Sequence, residues 1–481
     1  MIKDAVNDRT FELLIGGKAR PGRDFAEVYN PATGAVLARV PMASTADLDE
    51  AVEQAHAARK AWGRDEVARH AALDKAADIV VANADLLASM LSLEIGLPYK
   101  LAQMEVGGAA LFLKHRAADS EQVDMIADDS KQRVYVRRTS IGVTGAILPW
   151  NAPLLVASEK LATAFGAGNT VVMKPSPLAP LTVMTFGALI ADLFPEGVLS
   201  ILPGTDELGK ALVAHPKVGM ISFTGGISAG QSIMAGSAAG LKRLSLELGG
   251  NDAAIVLPDV DVKKTARRLF MGAFFRTGQI CVAIKRLYVH EAIYDEMVAE
   301  LKAVAEANVL GDPFDPATTM GPIANRPQYE RVKHLVAGAL EEGGTAVTGG
   351  APLDTPGNFY PPTLITGLAS DAKLVVEEQF GPVLPVLKFS DIDQAIAEAN
   401  STIYGLGGSV WTSDTDAGIE IAGQLESGTA WVNQHGIVLP HIPCGGMKLS
   451  GIGRANGRVG LDNYSELQTI AVSFPPEKVA S

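Results

Sequence analysis

From Ile141 onward, short apolar runs alternate with segments of helix length, and this alternation constrains the fold more than any other feature of the chain. The runs GVTGAIL, NTVVMKP, VLSILPG, GMISFTGG and KRLSLELGG predict strands, because each is apolar over a strand length and is bordered by glycine or proline. The segments between them predict helices. Repeated strand–helix units of this length form a parallel sheet with helices on both faces, so we expect an α/β protein.

A second series of the same kind follows. Strands are predicted for NDAAIVL and RLYVHE and near 384–389 and 407–411. Helical patterns cover about 261–276, 292–306 and 327–342. Two Rossmann-like lobes suit 481 residues better than a single very large sheet. Ligands of such sheets bind at the carboxyl ends of the strands.

The region before these series has a helical pattern. Residues 45–116 are rich in alanine and leucine at helical spacing, and LPYK at 97–100 marks a break between helices. Ser44 or Thr45 is the expected N-cap.

Composition argues against several classes of function. The chain is 47% hydrophobic and 20% charged with a formal net charge of −13, and an acidic surface disfavours nucleic acid and anionic membrane as partners. The N-terminus lacks a basic segment followed by an apolar run, and no apolar stretch reaches the roughly 18 residues of a membrane span. The two cysteines, Cys281 and Cys444, are too few for a disulfide framework, and the eight histidines lack zinc-site spacing. We therefore expect a cytoplasmic protein without a metal site.

Three residues have side chains suited to acyl-transfer chemistry. Cys281 follows a Gly-Gln pair where a helical segment ends, and a thiolate there could attack a carbonyl carbon, although a free cysteine is more often a small buried hydrophobe. Glu247 ends a β-run before two glycines, where the alternative is an ion-paired loop residue. Asn151 could donate to an oxyanion, with a helix N-cap as the stronger alternative.

A glycine-rich segment between a strand and a helix is a candidate phosphate site. FTGGISAG at 223–230 would let backbone N–H groups approach a pyrophosphate at the helix N-terminus. The segment is not G-x-G-x-x-G, so an ordinary glycine-rich turn explains it equally well. Lys174 follows another strand and could donate to a ribose, although a lysine alone is more often a solvated surface residue.

These features belong to a series of motifs that covers nearly the whole chain. The motifs are PWN at 149–151, KP at 174–175, FTG at 223–225, ELGG at 247–250, GQxC at 278–281, EEQFGPV at 377–383, WVN at 431–433 and CGGMKLSGIGR at 444–454. In this order and spacing the chain resembles the aldehyde dehydrogenase superfamily.

The resemblance implies a domain plan and a function. It implies an NAD(P)-binding lobe of residues 1–117 and 141–248, a catalytic lobe of 249–449, and a small β oligomerisation arm with a tail, 118–140 and 450–481. It also implies NAD(P)-dependent oxidation of an aldehyde to a carboxylic acid through a cysteine thiohemiacetal and thioester.

Each catalytic role follows from the same resemblance. Cys281 corresponds to the nucleophile, and the Asn151 amide together with the Cys281 backbone N–H corresponds to the oxyanion hole. Glu247 corresponds to the base that activates water for thioester hydrolysis. Lys160 matches a family lysine near the site that would assist proton relay.

The cofactor residues implied by the resemblance lie at strand ends of the first lobe and in the EEQFGPV motif. Lys174 and Glu378 match the residues that bind the two riboses, and the full set is Ile147, Pro149, Trp150, Lys174, Pro177, Gly209, Phe223, Gly225, Gly226, Gly230, Leu248, Glu378 and Phe380. Pro177 stands where NAD-preferring members often have a glutamate that excludes a 2′-phosphate. Both NAD and NADP therefore stay open, with NAD slightly ahead as the commoner cofactor.

The substrate pocket implied by the resemblance combines apolar walls with a few polar groups. Its residues are Ala152, Leu155, Val156, Glu159, Phe275, Ile280, Val282, His435, Val438, His441 and Cys444. This mixture suits a medium-sized aldehyde, either aromatic or with a polar tip.

Two segments alternate apolar and polar residues as edge strands do, QRVYVRR at 132–138 and LQTIAVSF at 467–474. Members of the superfamily form homodimers or homotetramers by exchanging a β-arm, and these segments are suited to it; the alternative is pairing within one subunit.

Three rival functions remain. A cysteine-based acyl transferase or esterase would use Cys281 and Glu247 without redox chemistry, against which the glycine-rich loop and Lys174 argue. A CoA-acylating enzyme often lacks the glutamate base, which is present here. A binding protein that has lost activity would lack a catalytic group, yet Asn151, Glu247 and Cys281 are all present.

Overall fold

The structure is a computed structural model, and it describes residues 5–7, 9–119 and 123–474. Its strands are β1 (Leu13–Ile15), β2 (Lys18–Arg20), β3 (Asp24–Tyr29), β4 (Val36–Met42), β5 (Asp124–Asp128), β6 (Gln132–Ser140), β7 (Val143–Ile147), β8 (Thr170–Lys174), β9 (Leu199–Ile201), β10 (Met220–Thr224), β11 (Arg243–Glu247), β12 (Asp252–Val256), β13 (Ile284–His290), β14 (Thr345–Thr348), β15 (Thr363–Thr366), β16 (Val383–Phe389), β17 (Gly407–Trp411), β18 (Thr429–Val432), β19 (Gly451–Ile452) and β20 (Ser465–Ser473).

The helices alternate with these strands through most of the chain. They are α1 (Thr45–Arg64), α2 (Glu66–Ala82), α3 (Ala84–Ile95), α4 (Tyr99–Ala117), α5 (Pro153–Gly166), α6 (Leu181–Ile190), α7 (Asp206–Ala214), α8 (Ile227–Ser237), α9 (Val262–Phe274), α10 (Tyr294–Glu306), α11 (Arg326–Glu341), α12 (Lys373–Val376), α13 (Ile392–Asn400), α14 (Thr415–Ala422) and α15 (Gly457–Asn463).

The first sheet confirms the predicted α/β architecture. Its order is β19-β11-β10-β7-β8-β9-β1-β2, and the strands from β11 to β9 run parallel. Every residue of β7 and of β8 is buried, because helices cover both faces of the sheet. The edge strand β19 pairs antiparallel with β11, and at the other end of the sheet β1 pairs antiparallel with both β9 and the edge strand β2.

The second sheet has the order β14-β15-β16-β13-β12-β17-β18, and it is parallel except where β14 meets β15. The predicted strands of this region, β12, β13, β16 and β17, lie at its centre. β14, β15 and β18 and the N-terminal strands β1 to β4 were not predicted. β14 is exposed or half-buried along its four residues, so it lacks a clear apolar pattern.

The helical region begins where the sequence predicts. Ser44 caps α1 with a capping box: its Oγ accepts from the Asp47 N–H at 3.2 Å, and its own N–H donates to the Asp47 carboxylate at 2.8 Å. The break at 97–100 is also present, since α3 ends at Gly96 in the left-handed region with φ of 70° and α4 begins after Pro98.

The two predicted arm segments pair with each other in this chain. β20 and β6 are antiparallel from the Ser465–Ser140 pair to the Ser473–Gln132 pair, and β5 joins the other side of β6. We call this the arm sheet; β20 and β5 form its edges. Within the predicted tail, Gly451 pairs instead with Glu247, so this short strand extends the first sheet.

Among the described residues, no single helix is both long and apolar enough to cross a membrane. α2 and α3 reach the required length and composition only together, and they meet at a bend of 71°. In the same residues, no group of three or more histidine, cysteine, aspartate or glutamate side chains could hold a metal ion.

Candidate active site

A cavity of about 640 Å³ brings together the three predicted catalytic residues. Glu247 is the last residue of β11, Asn151 follows β7, and Cys281 precedes β13, so strand ends from both sheets contribute to one space. Most of the other predicted cofactor and substrate residues line the same cavity: Pro149, Trp150, Ala152, Leu155, Val156, Glu159, Phe223, Gly225, Gly226, Leu248, Phe275, Ile280, Val282, Glu378, Phe380, Val438 and Cys444.

The backbone before Cys281 turns sharply, and its sequence explains why. Arg276, Thr277 and Gly278 all have left-handed conformations, with φ of 55°, 60° and 71°. A Cβ on Gly278 would lie 2.2 Å from the carbonyl oxygen of Gly381, so only glycine fits. The predicted helix of 261–276 therefore ends early, at Phe274.

Gln279 holds this turn in place. Its buried amide donates from Nε2 to the Arg276 carbonyl at 3.2 Å, and its Oε1 accepts from the Ala324 N–H at 2.9 Å. The Gly-Gln pair thus presents Cys281 on a rigid turn rather than in a helix.

The Cys281 thiol lies within a mainly buried environment. Burial raises the pKa of Cys281 to about 12, and the acidic groups Glu378, Glu247 and Asp252 raise it further. The ammonium of Lys285 acts in the opposite direction and lowers this pKa. The thiol form therefore predominates at neutral pH in this structure.

Asn151 is attached to the same turn by its side chain. Its Nδ2 donates to the Gln279 carbonyl at 2.9 Å, while its own carbonyl accepts from Arg276 Nη2 at 2.5 Å. The residue does not cap α5, whose N-cap is Ala152. The alternative N-cap interpretation of Asn151 is therefore wrong, and its amide lies beside the cysteine turn.

A buried ion pair between Arg276 and Glu105 lies next to Asn151 and the cysteine turn. Arg276 Nη2 lies 2.6 Å from Glu105 Oε2, with the Glu105 side chain fully buried. Oε1 of Glu105 accepts from the N–H groups of Leu154 and Leu155, both at 3.1 Å, at the start of α5. Sequence analysis missed this pair, because Glu105 lies far from the motifs on a helix of ordinary pattern.

Glu247 has a buried carboxyl group. Its Oε1 is buried and has no hydrogen-bond partner among the described residues. Burial raises the pKa of Glu247 to about 8, Glu159 adds to the effect, and Lys160 and Arg454 oppose it. The interpretation of Glu247 as an ion-paired loop residue is therefore wrong.

Lys160 lies behind the cavity rather than in its wall. Its Nζ donates to Ser222 Oγ at 2.8 Å, and the hydroxyl of Tyr464 donates to the same oxygen. Burial lowers the pKa of Lys160, and the nearby carboxyls of Glu159 and Glu247 raise it. No sequence motif pointed to Ser222 or Tyr464.

The glycine-rich segment has the shape of a phosphate cradle. Gly226 is the N-cap of α8 and supplies no side-chain hydrogen bond, and a Cβ built on it would meet nothing within 4 Å. Gly225 and Gly226 line the cavity, so the N-terminus of α8, where the first N–H groups lack partners within the helix, borders this space. These residues fit a dinucleotide pyrophosphate.

Other predicted cofactor residues support this cleft from outside the cavity wall. A Cβ on Gly230 would lie 2.7 Å from Leu248 Cδ2, so this glycine allows close packing, and one on Gly209 would lie 3.6 Å from Lys174 Cε. Lys174 ends β8 and is buried, which lowers its pKa. Ile147 is likewise buried, at the end of β7, and Pro177 is half-buried.

Glu378 and Phe380, two of the predicted cofactor residues, lie close to the cysteine turn. Glu378 Oε1 accepts from the Gly250 N–H at 3.1 Å and lies 3.2 Å from Lys285 Nζ. The rings of Trp150 and Phe380 meet edge to face with centroids 5.4 Å apart. Glu378 and Phe380 thus face the cavity next to the cysteine turn.

Comparison with known proteins identifies the family of this chain. The model of the aldehyde dehydrogenase family matches residues 18–470. The chain is 38% identical to a phenylacetaldehyde dehydrogenase of Pseudomonas fluorescens over 96% of both proteins. It belongs to the aldehyde dehydrogenase family.

Solved structures of relatives show the same fold. An NAD⁺ complex of aldehyde dehydrogenase from Bacillus cereus is 33% identical, with a TM-score of 0.95 and 98% of each chain covered. A betaine aldehyde dehydrogenase from Staphylococcus aureus in complex with NAD⁺ is 30% identical, with a TM-score of 0.95, covering 99% of this chain and 98% of its own. The present chain is thus an oxidoreductase that acts on aldehydes.

The substrate side of this aldehyde dehydrogenase departs from prediction at two histidines. His435 turns away from the cavity: Nδ1 lies 2.9 Å from Ser409 Oγ and Nε2 lies 3.5 Å from Asp252, with the side chain 1% exposed. Only Nδ1 of this ring has a hydrogen-bond partner among the described residues, and Nε2 is buried without one. His441 lines a separate cavity of about 390 Å³ beside His115.

The structure also adds wall residues to the aldehyde dehydrogenase cavity. Phe112 of α4 and Arg276 of the cysteine turn line it, together with Tyr404 and Leu406. Phe112 could not be recognised because it sits in a helical pattern far from the motifs.

Proposed function

We propose that this enzyme oxidises an aldehyde to a carboxylic acid through a thioester on Cys281, with NAD(P)⁺ as the oxidant. The observation that carries the proposal is the convergence of Cys281, Asn151 and Glu247 on one cavity that continues to the glycine-rich cradle at Gly226. The relatives crystallised with NAD⁺ support the cofactor class.

In the first step, Cys281 releases its proton to water, and the thiolate sulfur bonds to the aldehyde carbon. The carbonyl π electrons move to oxygen, and the resulting oxyanion accepts hydrogen bonds from Asn151 Nδ2 and the Cys281 backbone N–H. The turn fixed by Gly278 and Gln279 keeps both donors near the sulfur.

A nicotinamide bound in this cleft would supply the acceptor for the hydride that leaves the substrate carbon, and Cys281 would hold the acyl group as a thioester. The α8 N-terminus at Gly226 would hold the pyrophosphate, Lys174 the adenosine ribose and Glu378 the nicotinamide ribose. Pro177 adds no negative charge at the adenosine side, so both NAD⁺ and NADP⁺ are acceptable, with NAD⁺ slightly preferred.

Glu247 completes the reaction. In its ionised form it takes a proton from water while the water oxygen bonds to the thioester carbon. The carbon–sulfur bond breaks, the thiol is restored and the acid leaves. The buried, unpartnered Oε1 supports this role, because a desolvated carboxylate is a stronger base. Lys160, buried behind Glu247, stabilises the ionised carboxylate and gives the proton a route through Ser222.

The cavity walls favour a medium-sized or aromatic aldehyde. Phe112, Leu155, Val156 and Phe275 supply apolar surface, and Ala152 leaves space beside them. Glu159 adds a carboxyl whose Oε1 is buried without a partner among the described residues, which suits a substrate with a hydrogen-bond donor at its far end. The phenylacetaldehyde dehydrogenase among the relatives is consistent with an aromatic substrate.

The β-arm suggests assembly as a homodimer or homotetramer. β20 forms an edge of the arm sheet, and an exposed edge strand can pair with a second subunit.

The deciding experiment measures reduced nicotinamide and acid product with aliphatic, aromatic and hydroxyl-bearing aldehydes, each with NAD⁺ and NADP⁺. We expect one molecule of carboxylic acid to form for each molecule of cofactor reduced, and we expect the highest kcat/KM with aromatic aldehydes. Acid release without cofactor reduction would indicate an esterase, and a requirement for CoA would indicate an acylating enzyme; either result contradicts the proposal.

A further inference from the structure

Lys285 is a buried cation beside the nucleophile that no motif accounts for. It is the second residue of β13, four residues after Cys281, and its side chain is 3% exposed. Burial of an ammonium is unfavourable unless its N–H groups find partners, so its position needs an explanation.

Its ammonium is fully coordinated. Nζ donates to the carbonyl of Ile280 at 2.8 Å and to the carbonyl of Cys281 at 2.7 Å, and it lies 3.2 Å from Glu378 Oε1. Three N–H donors thus meet three oxygens. Two of these oxygens belong to the cysteine turn, and the third belongs to the carboxylate expected to bind the nicotinamide ribose.

Glu378 depends on this cation. It is 16% exposed, and burial raises its pKa while Lys285 lowers it. Backbone groups hold the carboxylate on its other side: Gly250 N–H donates to Oε1, and a Cβ on Gly249 would lie 2.2 Å from Oε2. Loss of Lys285 would leave Glu378 buried without its counter-charge.

The charged groups around the sulfur have opposite effects. Lys285 lowers the pKa of Cys281, whereas Glu378, Glu247 and Asp252 raise it. Lys285 and Glu378 therefore act in opposite directions on the thiol, although they act together in holding a ribose.

We propose that Lys285 is a positioning residue that joins the nucleophile turn to the ribose carboxylate, so that one cation sets both the reactivity of Cys281 and the geometry of Glu378. The inference rests on the proposed function, since it uses Cys281 as nucleophile and Glu378 as ribose ligand. The inference adds a connection between the nucleophile Cys281 and the ribose ligand Glu378. Neither of these two roles requires such a connection by itself.

Alkylation of Cys281 and binding of NADH test the link without turnover. The variants are Lys285→Met, Lys285→Arg and Glu378→Gln, with Lys302→Met as the control, since Lys302 is an exposed lysine of α10. Rates of reaction with neutral iodoacetamide and anionic iodoacetate are followed at pH 8 by mass spectrometry of the Cys281 peptide, which distinguishes it from Cys444.

We expect Lys285→Met to slow alkylation by iodoacetamide about tenfold, the effect of one unit in thiol pKa. The reaction with iodoacetate should slow more, because the removed charge also attracts the reagent. Lys285→Arg should retain most of the wild-type rate. Glu378→Gln should have the opposite effect and speed alkylation, yet both Lys285→Met and Glu378→Gln should weaken NADH binding severalfold.

The alkylation rate should fall in Lys285→Met and rise in Glu378→Gln. A general destabilisation of the site would instead change the rate in the same direction in both variants. Alkylation in Lys285→Met at the control rate, or slower alkylation in Glu378→Gln, would overturn the inference. If Lys285→Met is not soluble, Lys285→Gln takes its place with the same expected loss of alkylation rate, because it also removes the charge. Full turnover by Cys281→Ala would instead refute the proposed function, whatever the alkylation rates.

Discussion

Arg276 and Glu105 form a buried ion pair at 2.6 Å directly beneath the Asn151 carbonyl. Loss of one partner leaves the other charge buried alone, which costs about 3–5 kcal/mol. We expect Glu105→Gln to lower the free energy of unfolding by about this amount and also to reduce kcat, since Asn151 loses its support. Urea unfolding and steady-state rates measure the two effects.

The control for this variant is Glu330→Gln, which removes a surface partner of Arg326 at 2.5 Å with both side chains largely exposed. Exposed pairs contribute roughly 0–1 kcal/mol, so its stability should hardly change. Equal losses in the two variants would contradict a supporting role for the buried pair.

Glu247→Gln should stop the enzyme after one turnover. The amide keeps the shape of the carboxyl but cannot take a proton from water, so the thioester accumulates. Rapid mixing with aldehyde and NAD⁺ should show at most one reduced cofactor per site, and mass spectrometry should detect the acyl group on Cys281. Repeated turnover at the wild-type rate would exclude Glu247 as the base.

Hydrolysis of the thioester should increase with pH. The raised pKa of Glu247, about 8, means that the carboxyl is mostly protonated at pH 7 and becomes the active base as pH rises. Single-turnover measurements of acid release should show the rate constant climbing through about pH 8 to a plateau. A rate constant already at its plateau at pH 6 would show that the ionised form is more stable than burial suggests.

Gly278→Ala should destabilise the cysteine turn. Its φ is 71°, and the new Cβ would collide with the Gly381 carbonyl, so a loss of about 1–3 kcal/mol is expected, together with a strong drop in kcat. Gly338→Ala is the matched control, because Gly338 lies in α11 with open space at its Cβ. Alanine there should leave stability unchanged or raise it by up to about 1 kcal/mol.

Pro177→Glu should shift cofactor choice toward NAD⁺. A carboxylate near the adenosine ribose repels a 2′-phosphate, so kcat/KM with NADP⁺ should fall about tenfold or more relative to NAD⁺. Pro177→Gln has a similar size without the charge and should keep most of the wild-type ratio. Equal ratios in the two variants would place Pro177 away from the adenosine ribose.

The central strands were predictable because parallel strands buried on both faces have continuous apolar runs, as in β7 and β8. β14 and β3 were not predicted because they are largely exposed or half-buried and lack a continuous apolar run, and β1 and β2 were not predicted because each has only three residues. Among site residues, the motif glycines could be predicted from the resemblance to the aldehyde dehydrogenase superfamily, because their spacing alone also fits an ordinary turn. The contacts of Arg276 with Glu105 and of Lys160 with Ser222 could not be predicted, because each contact joins residues more than 60 positions apart in the sequence.

The segment between β18 and β19 spans both lobes. β18 belongs to the second sheet and β19 pairs with β11 of the first, while Cys444 and Val438 of the segment line the substrate cavity. This wall is therefore tethered at both ends to bodies on opposite sides of the cleft. A change in the distance between the two sheets would therefore also shift this wall and alter the width of the cavity that it lines.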